Sequence, residues 1–457
     1  MKPWRVSALV LMLALSRVAF GAEITAGPMA GYRDARSTLI WLQAGGTASA
    51  RIEYWPARER GARRSSAPVL LNAKDDFTAQ VALHGLTPDT EYEYRVLLDG
   101  RESRAAGVRT FRTERLWQWQ RHAFLPAKGH VPADFRIAFG SCAYFNDPPF
   151  DRSNIPGGPY GGDYGIYDRI AERKPDVMLW LGDNTYLREA DYGHPAGIAE
   201  RYRIDRARSE LRRLLATGNH YAIWDDHDFG PDDANSSFAY KAEALATFRR
   251  YWPNGGAGMP DVPGIFRAVS INDVDVFLLD GRYHRDADAG YPARGKRMLG
   301  EGQMRWLKNA LLASRASFRI IVSGSQVLNA APSHVEGWSH FPEERGAFLD
   351  WLADNRIPGV LFLSGDRHHS VLTRLNRQNA YPLFDFTCSP LTAGAHKPAA
   401  GEGEGSAEPG TLVVKRNFCT IDVDGAWGER RLVLRAFDAA GGELWTRELH
   451  SRELRYP

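Results

Sequence analysis

From residue 135 onward, short apolar runs alternate with stretches whose apolar residues recur at helical spacing. The runs predict buried strands because they are short and almost wholly apolar, and they cover residues 136–140, 177–181, 221–224, 274–279, 319–323 and 360–364. The stretches between them predict helices over residues 164–173, 197–215, 236–251, 301–313 and 343–355. Alternation of strand and helix is typical of βαβ units, so this part is predicted to be an α/β fold with a mostly parallel sheet.

Residues 22–115 have a different pattern, in which apolar and polar positions alternate with a period of two. Turn sequences separate the short runs at the spacing of a small β-sandwich. The stretch LTPDTEYEY, at 86–94, resembles the tyrosine-corner region of fibronectin type III domains. We therefore predict a binding or spacer module over residues 22–115, a linker over 116–132 and an α/β domain over 133–457. Within that domain, 394–410 is predicted to be a mobile Gly-rich loop, followed by a closing β-meander.

The first 21 residues have the pattern of a secretory signal peptide. Lys2 and Arg5 precede an apolar run, and small residues suit cleavage before Ala22. An uncleaved membrane anchor is the alternative, although the run is short for a bilayer span and the mature chain contains no other candidate. Because there is no twin arginine, we expect general export to the periplasm or the extracellular space.

The composition is that of an ordinary globular protein, with 44% hydrophobic and 25% charged residues. The net charge of +3 equals the charge of Lys2, Arg5 and Arg17 in the leader segment, so the mature chain is balanced. No nucleic-acid or anionic-membrane partner is therefore predicted. The three cysteines leave at least one thiol unpaired, which in an oxidising compartment requires burial or a metal.

Polar side chains follow every predicted strand of the α/β part. In chain order they are Ser141 and Cys142, Asp183 and Tyr186, the run Asp225-Asp226-His227-Asp228, Asp280 and Arg282, Ser325 and Gln326, and Asp366 with His368 and His369. Any one of these groups alone is explained by a helix cap or a turn. Because the carboxyl ends of parallel strands meet at one edge of a sheet, we predict that all six groups converge there.

Carboxylates crowded at one edge repel one another, and bound cations are the common remedy. Asp, His, Tyr and Cys are all ligand types, and two metal ions about 3.5–4 Å apart are the usual clamp for phosphoester hydrolysis. A phenol, with a pKa of about 10, binds only a strongly Lewis-acidic ion. Phenolate and thiolate together favour Fe3+ at one position, and surplus carboxylate oxygens favour Ca2+ at the other.

The strand-end motifs resemble those of the PhoD-like alkaline phosphatases, a branch of the calcineurin-like metallophosphoesterases. They are GSC at 140–142, GDNTY at 182–186, WDDHD at 224–228, LDGR at 279–282 and GDRHHS at 365–370, in order over roughly residues 135–392. The resemblance implies a four-layer αββα sandwich, with two sheets face to face between helices, after a fibronectin type III-like domain. It also implies a secreted hydrolase of phosphate monoesters or diesters that uses iron and calcium.

The same resemblance implies which residues bind the metals: Cys142 and Tyr186 for iron, Asp183 as the bridge, and Asp226, Asp366 and His368. Asp226 stands where the family has Asn, Asp228 where it often has Glu, and Gln326 where a ligand His is expected. These departures leave the number of metals and the choice of substrate open. The Gly-Asn-His signature at 218–220 precedes a strand, at the wrong end for the site, so we interpret it as structural.

A mechanism follows, in which a metal-activated hydroxide attacks phosphorus in line with the leaving oxygen. His227 would protonate the leaving alkoxide or stabilise its charge. Arg282 and Arg285 would grip phosphate oxygens, with surface ion pairs as the alternative. Asn235 would contact substrate, with a helix cap as the alternative. His369 is interpreted as structural.

Cys388 and Cys419 are interpreted as buried apolar thiols rather than ligands, and a disulfide between them is left open. The predicted substrate is a small-molecule or lipid phosphoester. Two other functions stay open: the same site acting on phosphodiesters or phospholipids, and an exported binding protein whose metals are purely structural. The sequence predicts no oligomeric state.

Overall fold

The computed structural model describes residues 22–116, 132–148, 150–151, 159–288, 294–330, 332, 334–426 and 428–456. The predicted signal peptide, and all but the ends of the predicted linker, lie outside these residues. None of the helices in the described part combines the length and the apolar character that a membrane span requires.

The N-terminal part is built from nine short strands. They are β1 (Ile24–Arg33), β2 (Ser37–Ala44), β3 (Ala48–Pro56), β4 (Arg64–Ser65), β5 (Val69–Leu71), β6 (Thr78–His84), β7 (Glu91–Leu98), β8 (Arg101–Glu102) and β9 (Arg109–Arg112). In β7 every second side chain is buried, as the period-two pattern predicts. The Tyr92 hydroxyl accepts a hydrogen bond from the Thr87 backbone N–H at 2.9 Å, which closes the corner before β7.

The remainder alternates strands with helices before it ends in a β-meander. The elements are β10 (Phe135–Gly140), α1 (Ile166–Glu172), β11 (Val177–Leu181), α2 (Pro195–Arg206), α3 (Arg212–Leu215), β12 (Asn219–Ile223), α4 (Asp226–Phe229), α5 (Lys241–Tyr251), β13 (Arg267–Ile271), β14 (Val274–Leu278), α6 (Gly300–Ala313), β15 (Phe318–Val322), α7 (Pro342–Asp354), β16 (Val360–Ser364), β17 (Val371–Leu375), β18 (Leu383–Thr387), β19 (Asn417–Asp424), β20 (Arg431–Asp438) and β21 (Glu443–His450).

All six predicted strands of this part are present, but two helices differ from the prediction. The helix predicted at 197–215 is interrupted after Arg206, because Arg208 has an extended backbone. The helix predicted at 236–251 begins only at Lys241. Before it, the Asn235 side chain accepts a hydrogen bond from the Ser237 N–H at 3.1 Å. Such a local bond offers the backbone an alternative to the helix.

The strands form three sheets in a mixed α/β fold. The largest has the order β21-β20-β19-β10-β11-β12-β1-β2-β6, the second β13-β14-β15-β16-β18-β17, and the third β4-β3-β7-β8 with β5 on β3 and β9 on β7. β10, β11 and β12 run parallel, and so do β14, β15 and β16. The carboxyl ends of each parallel set therefore meet at one edge.

The N-terminal strands are part of the largest sheet. β1 pairs in parallel with β12, and β2 and β6 continue the sheet outward. Arg33 at the end of β1 holds this junction, with hydrogen bonds to Glu114 at 2.6 Å and to Asn219 at 3.0 Å. The largest sheet thus contains strands from both the N-terminal part and the α/β part, which the period-two pattern alone did not indicate.

The two larger sheets pack against each other through one apolar core. Phe139 of β10 meets Phe386 of β18 edge-to-face, with ring centroids 5.0 Å apart. Beside them, Cys388 and Cys419 form a disulfide. Both are buried, as expected, and they are paired rather than left as thiols, which is the alternative that the sequence left open. Their Cα atoms lie 6.2 Å apart, a normal separation for a disulfide.

The predicted Gly-rich loop at 394–410 is anchored near its middle. Arg367 donates two hydrogen bonds to Glu402, at 2.8 and 3.0 Å, and the Glu402 side chain is fully buried. The mobility of this loop stays a prediction.

Candidate metal centre

Tight turns at the strand ends aim the predicted ligands inward. Cys142, Asp183, Asp366 and His368 all have a positive φ, between 52° and 67°. Such a backbone costs non-glycine residues about 1–3 kcal/mol each, and strain of this kind clusters at functional sites. Gly182 enters its turn at φ 96°, and a Cβ there would lie 2.7 Å from Asp225 Cβ. Only glycine therefore allows β11 and β12 to bring their carboxylates together.

A thiol, a phenol, a carboxylate and an imidazole meet in the first group. Cys142 Sγ lies 3.5 Å from Asp183 Oδ2, and the Tyr186 hydroxyl donates to the same oxygen at 3.2 Å. The Tyr186 hydroxyl also lies 3.2 Å from His368 Nε2. All four side chains are buried. Ligand atoms of Cys142, Asp183 and His368 lie within 4.8 Å of one another, which is close enough to share an ion.

Carboxylates form the second group. Asp225, Asp226 and Asp366 each offer an oxygen within 4.8 Å of the others. Asp183 and Asp226 offer oxygens that lie equally close to each other and to a ring nitrogen of His227. Asp183 therefore belongs to both groups, as a bridging ligand must. Three buried oxygens, Asp225 Oδ2, Asp226 Oδ1 and Asp366 Oδ2, lack a hydrogen-bond partner among the residues that the structure describes.

The electrostatics of both groups fit bound cations. Burial, with the charge of Asp226 next, raises the pKa of Asp183 well above its usual value. Burial also raises the pKa of the Cys142 thiol, the Tyr186 phenol and Asp366. A cation reverses these shifts because it stabilises the charged forms. The donors present, thiolate and phenolate on one side and carboxylate on the other, therefore suit metal ions of the kinds predicted.

Arg282 and Arg285 lie in a buried ion-pair network, not in surface ion pairs. Arg282 donates to Asp225 Oδ1 at 2.5 Å and to both oxygens of Glu336. Arg285 pairs with Asp288 at 2.8 Å and with Glu336 at 3.1 Å. Because carboxylates already take up these guanidinium groups, contact with phosphate stays a prediction. Glu336 was missed, since it lies in a loop with no strand-end signal.

Burial alone would raise the pKa of Asp226, but the shift is reversed by the charges of His227 and Arg282 and by a backbone N–H. The pKa of Asp226 is therefore lowered. Its partner Asp225 has its pKa raised to about 6, because burial outweighs the attraction of Arg282. The two neighbouring carboxylates of the WDDHD motif thus have pKa values shifted in opposite directions before any ion binds.

The remaining candidates are divided between the site and the scaffold. His227 is buried and stacks on Tyr186 at 4.3 Å, with Nε2 3.2 Å from Asp232 and 3.6 Å from Asp226. Asn235 forms its own turn and is not the residue that caps α5, whose first residue follows Tyr240.

Other motif residues have structural partners. Asp228 Oδ1 accepts hydrogen bonds from the Asn184 and Thr185 N–H groups, at 3.0 and 3.1 Å, and so holds the GDNTY turn. His220 lies within β12 and accepts from Trp180 Nε1 at 3.1 Å. Gln326 donates to Thr387 Oγ1 at 2.9 Å. His369 lies 3.6 Å from Glu402, and burial lowers the pKa of its ring to about 4.

A cleft of about 890 Å³ opens beside the two groups. Tyr186 and His227 form the wall nearest the ligands, and Tyr144, Arg188 and Tyr192 are among the other lining residues. The Arg188 guanidinium lies over the Tyr144 ring, 4.6 Å from its centroid. Among the described lining residues, the cleft therefore offers aromatic surface, the guanidinium of Arg188 and the carboxylates of Asp151, Glu189 and Asp232 next to the clustered ligands.

The fold and this ligand-lined edge together define a phosphoesterase of the metallophosphatase-like class. The chain belongs to the PhoD-like phosphatase family, whose model matches residues 137–423. This confirms the resemblance drawn from the motifs. A second model, described as a domain of unknown function (DUF7800), matches residues 21–115.

Individual relatives agree with this assignment. Alkaline phosphatase D of Bacillus subtilis (strain 168) is 22% identical, over 81% of this chain and 70% of that protein. The solved structure of PhoD matches with a TM-score of 0.70 at 18% identity, over 94% of this chain and 92% of that one. Purple acid phosphatase PPD1 from yellow lupin (Lupinus luteus) seeds matches with a TM-score of 0.63 at 10% identity, over 93% and 74%. These likenesses establish the fold.

Proposed function

We propose that the protein is an exported, metal-dependent hydrolase of phosphate monoesters, diesters or both. The observation that carries the proposal is the convergence of Cys142, Asp183, Tyr186 and His368 with the carboxylates of Asp226 and Asp366. Similarity to alkaline phosphatase D of Bacillus subtilis supports the same reaction. The Cys388–Cys419 disulfide supports export, since disulfides persist in oxidising compartments.

Fe3+ at the thiol–phenol group and Ca2+ at the carboxylate group are the ions we propose. When bound, they neutralise charge on the phosphate ester and lower the pKa of a water toward about 7. Asp183 holds the two groups together, because its Oδ2 faces Cys142 and Tyr186 while its Oδ1 accepts from the His227 N–H at 3.3 Å. Asp226 and Asp366 supply the remaining carboxylate oxygens.

His227 is the proposed acid for the leaving group. Its ring stacks on Tyr186 and lines the cleft, and the two nearby carboxylates of Asp226 and Asp232 fix its orientation. From that place it can give a proton to a leaving alkoxide. Asn235 and Arg285 stay the proposed substrate contacts. Arg282 stays a proposed catalytic residue, and it would contact phosphate by exchanging its hydrogen bonds to Asp225 and Glu336 for bonds to phosphate oxygens.

The size of the cleft favours a diester or a lipid phosphoester as the second candidate substrate. A volume of about 890 Å³ is far larger than a phosphate group needs, and its aromatic lining suits a bulky ester arm. Small monoesters would leave most of it filled with water. The scaffold that we propose for this site is the four-layer αββα sandwich after a fibronectin type III-like module.

Paired assays test the proposal. Purified wild-type protein, loaded with Fe3+ and Ca2+, is compared on p-nitrophenyl phosphate and on bis-p-nitrophenyl phosphate, beside elemental analysis. We expect turnover of at least one ester, and its loss in Asp183→Ala and His368→Ala without change in circular dichroism. His220→Ala, which changes a buried histidine away from the ligands, is the matched control. Full activity in both ligand variants, or metal-free protein that hydrolyses equally well, would refute the proposal and favour a non-catalytic binding protein.

A further inference from the structure

Ser389 lies between two of the proposed iron ligands. Its hydroxyl donates a hydrogen bond to Cys142 Sγ at 3.1 Å and accepts one from the His368 backbone N–H at 2.9 Å. The side chain is fully buried. One hydroxyl therefore ties the sulfur that follows β10 to the histidine that follows β16, across the gap between the two larger sheets.

Backbone hydrogen bonds and the neighbouring disulfide fix the position of Ser389. Its N–H donates to Ser370 Oγ at 3.0 Å, and its carbonyl accepts from Asn417 Nδ2 at 2.7 Å. Its neighbour Cys388 is held to Cys419 of β19 by the disulfide. The hydroxyl is thus presented to Cys142 by both sheets at once, which leaves it little freedom to move away from the sulfur.

Other contacts to the thiol are weaker or local. Ser141 Oγ lies 3.4 Å from Cys142 Sγ, but it also lies 3.1 Å from the Cys388 carbonyl, which can accept its proton. The Ser389 hydroxyl makes the shorter contact and comes from a distant part of the chain. It follows β18, a strand that the apolar-run pattern did not single out, so the motifs gave no indication of it.

We propose that Ser389 is a positioning residue of the metal centre, which sets the place of Cys142 and His368 relative to each other and limits how strongly the sulfur donates to the ion. The inference rests on the proposed metal binding. Hydrogen bonds to a ligating sulfur withdraw electron density from it, and such neighbours orient ligands and tune the ion that they hold. Loss of the hydroxyl should therefore change the sulfur-to-metal absorption, because the sulfur then donates more strongly. It should also loosen the metal, because Cys142 and His368 are no longer held in place relative to each other.

The test compares wild type, Ser389→Ala and Ser389→Thr after loading with Fe3+. Absorption spectra and the rate of metal loss to a chelator are measured, with metal content by elemental analysis. We expect Ser389→Ala to shift the thiolate-to-iron band to lower energy and to release metal about tenfold faster, within the range that such supporting partners show. Ser389→Thr keeps a hydroxyl and should restore both readouts.

Ser364→Ala is the matched control, because it deletes another buried hydroxyl, one that donates to Asp385 at 2.7 Å and not to a ligand. If Ser389→Ala does not fold, Ser370→Ala carries the test, since it releases Ser389 without touching Cys142, and the same signs of change are expected. Unchanged spectra and metal loss, or equal changes in Ser364→Ala, would overturn the inference while leaving the proposed hydrolase intact. Wild-type protein that binds no metal would overturn both.

Discussion

Replacement of Arg282 should show how much its ion pairs with Asp225 and Glu336 contribute to the free energy of unfolding. Arg282 is fully buried and donates to Asp225 and Glu336, with a further contact to the Ala234 carbonyl at 3.2 Å. Replacement by methionine keeps much of the volume but removes the charge. The two carboxylates then face each other in the protein interior without the cation between them.

The structure sets the size of the effect. Glu336 retains Arg285 at 3.1 Å, so it stays paired in the variant. Asp225 loses the only basic partner that it has among the described residues. Breaking one buried ion pair costs about 3–5 kcal/mol, and we expect a loss of that size in the free energy of unfolding. Arg285→Met should cost less, because Glu336 keeps both of its bonds to Arg282.

Denaturant unfolding of metal-free protein at pH 7 measures this difference. The double variant Arg282→Met/Asp225→Asn should recover a large part of the loss, since it removes the orphaned charge together with its partner. A loss below about 1 kcal/mol for Arg282→Met, or a double variant no more stable than the single one, would refute the reasoning.

Two further predictions concern a buried carboxyl group and the disulfide. Burial raises the pKa of Asp205 to about 7 despite the opposing charge of Arg201, so the folded state binds a proton more tightly than the unfolded state does. The free energy of unfolding should therefore fall as the pH rises from about 4 to about 7, at up to about 1.4 kcal/mol per pH unit. Asp205→Asn should flatten this pH dependence in denaturant titrations. A variant with the wild-type slope would contradict the raised pKa of Asp205. Replacement of both Cys388 and Cys419 by serine removes a link between residues 31 positions apart. The chain-entropy model puts the loss at about 3–4 kcal/mol, to be measured by thermal and denaturant unfolding, and a loss under about 1 kcal/mol would contradict a stabilising disulfide.

The strand ends were predictable because their signal is local. A wholly apolar run predicts a strand buried on both faces, as β11 is, and whatever follows it must lie at the sheet edge. Cys142 and Asp183 follow β10 and β11 of one sheet and could be assigned to one edge for that reason alone. Asp366 follows β16 of the second sheet and lies beside Cys142 only because the two sheets pack together. The helix α5 was predictable in the same way, since Ala244, Phe248 and Tyr251 recur on one buried face.

Contacts between distant segments could not be read from local patterns. Nothing in the period-two runs indicates that β1 pairs with β12 and extends the largest sheet. Glu336 and Ser389 lie in loops whose sequence resembles any polar connection, and only tertiary packing brings them to Arg282 and Cys142. The Cys388–Cys419 pairing likewise depends on two sheets facing each other, which sequence spacing does not specify.

One iron ion should lie among the side chains of Cys142, Asp183, Tyr186 and His368. Anomalous X-ray scattering from crystals of the purified protein, recorded on both sides of the iron absorption edge, tests it directly. We predict an iron peak within bonding distance of the Cys142 sulfur and the Tyr186 oxygen. Crystals of active protein with no anomalous peak among these four side chains would contradict the account.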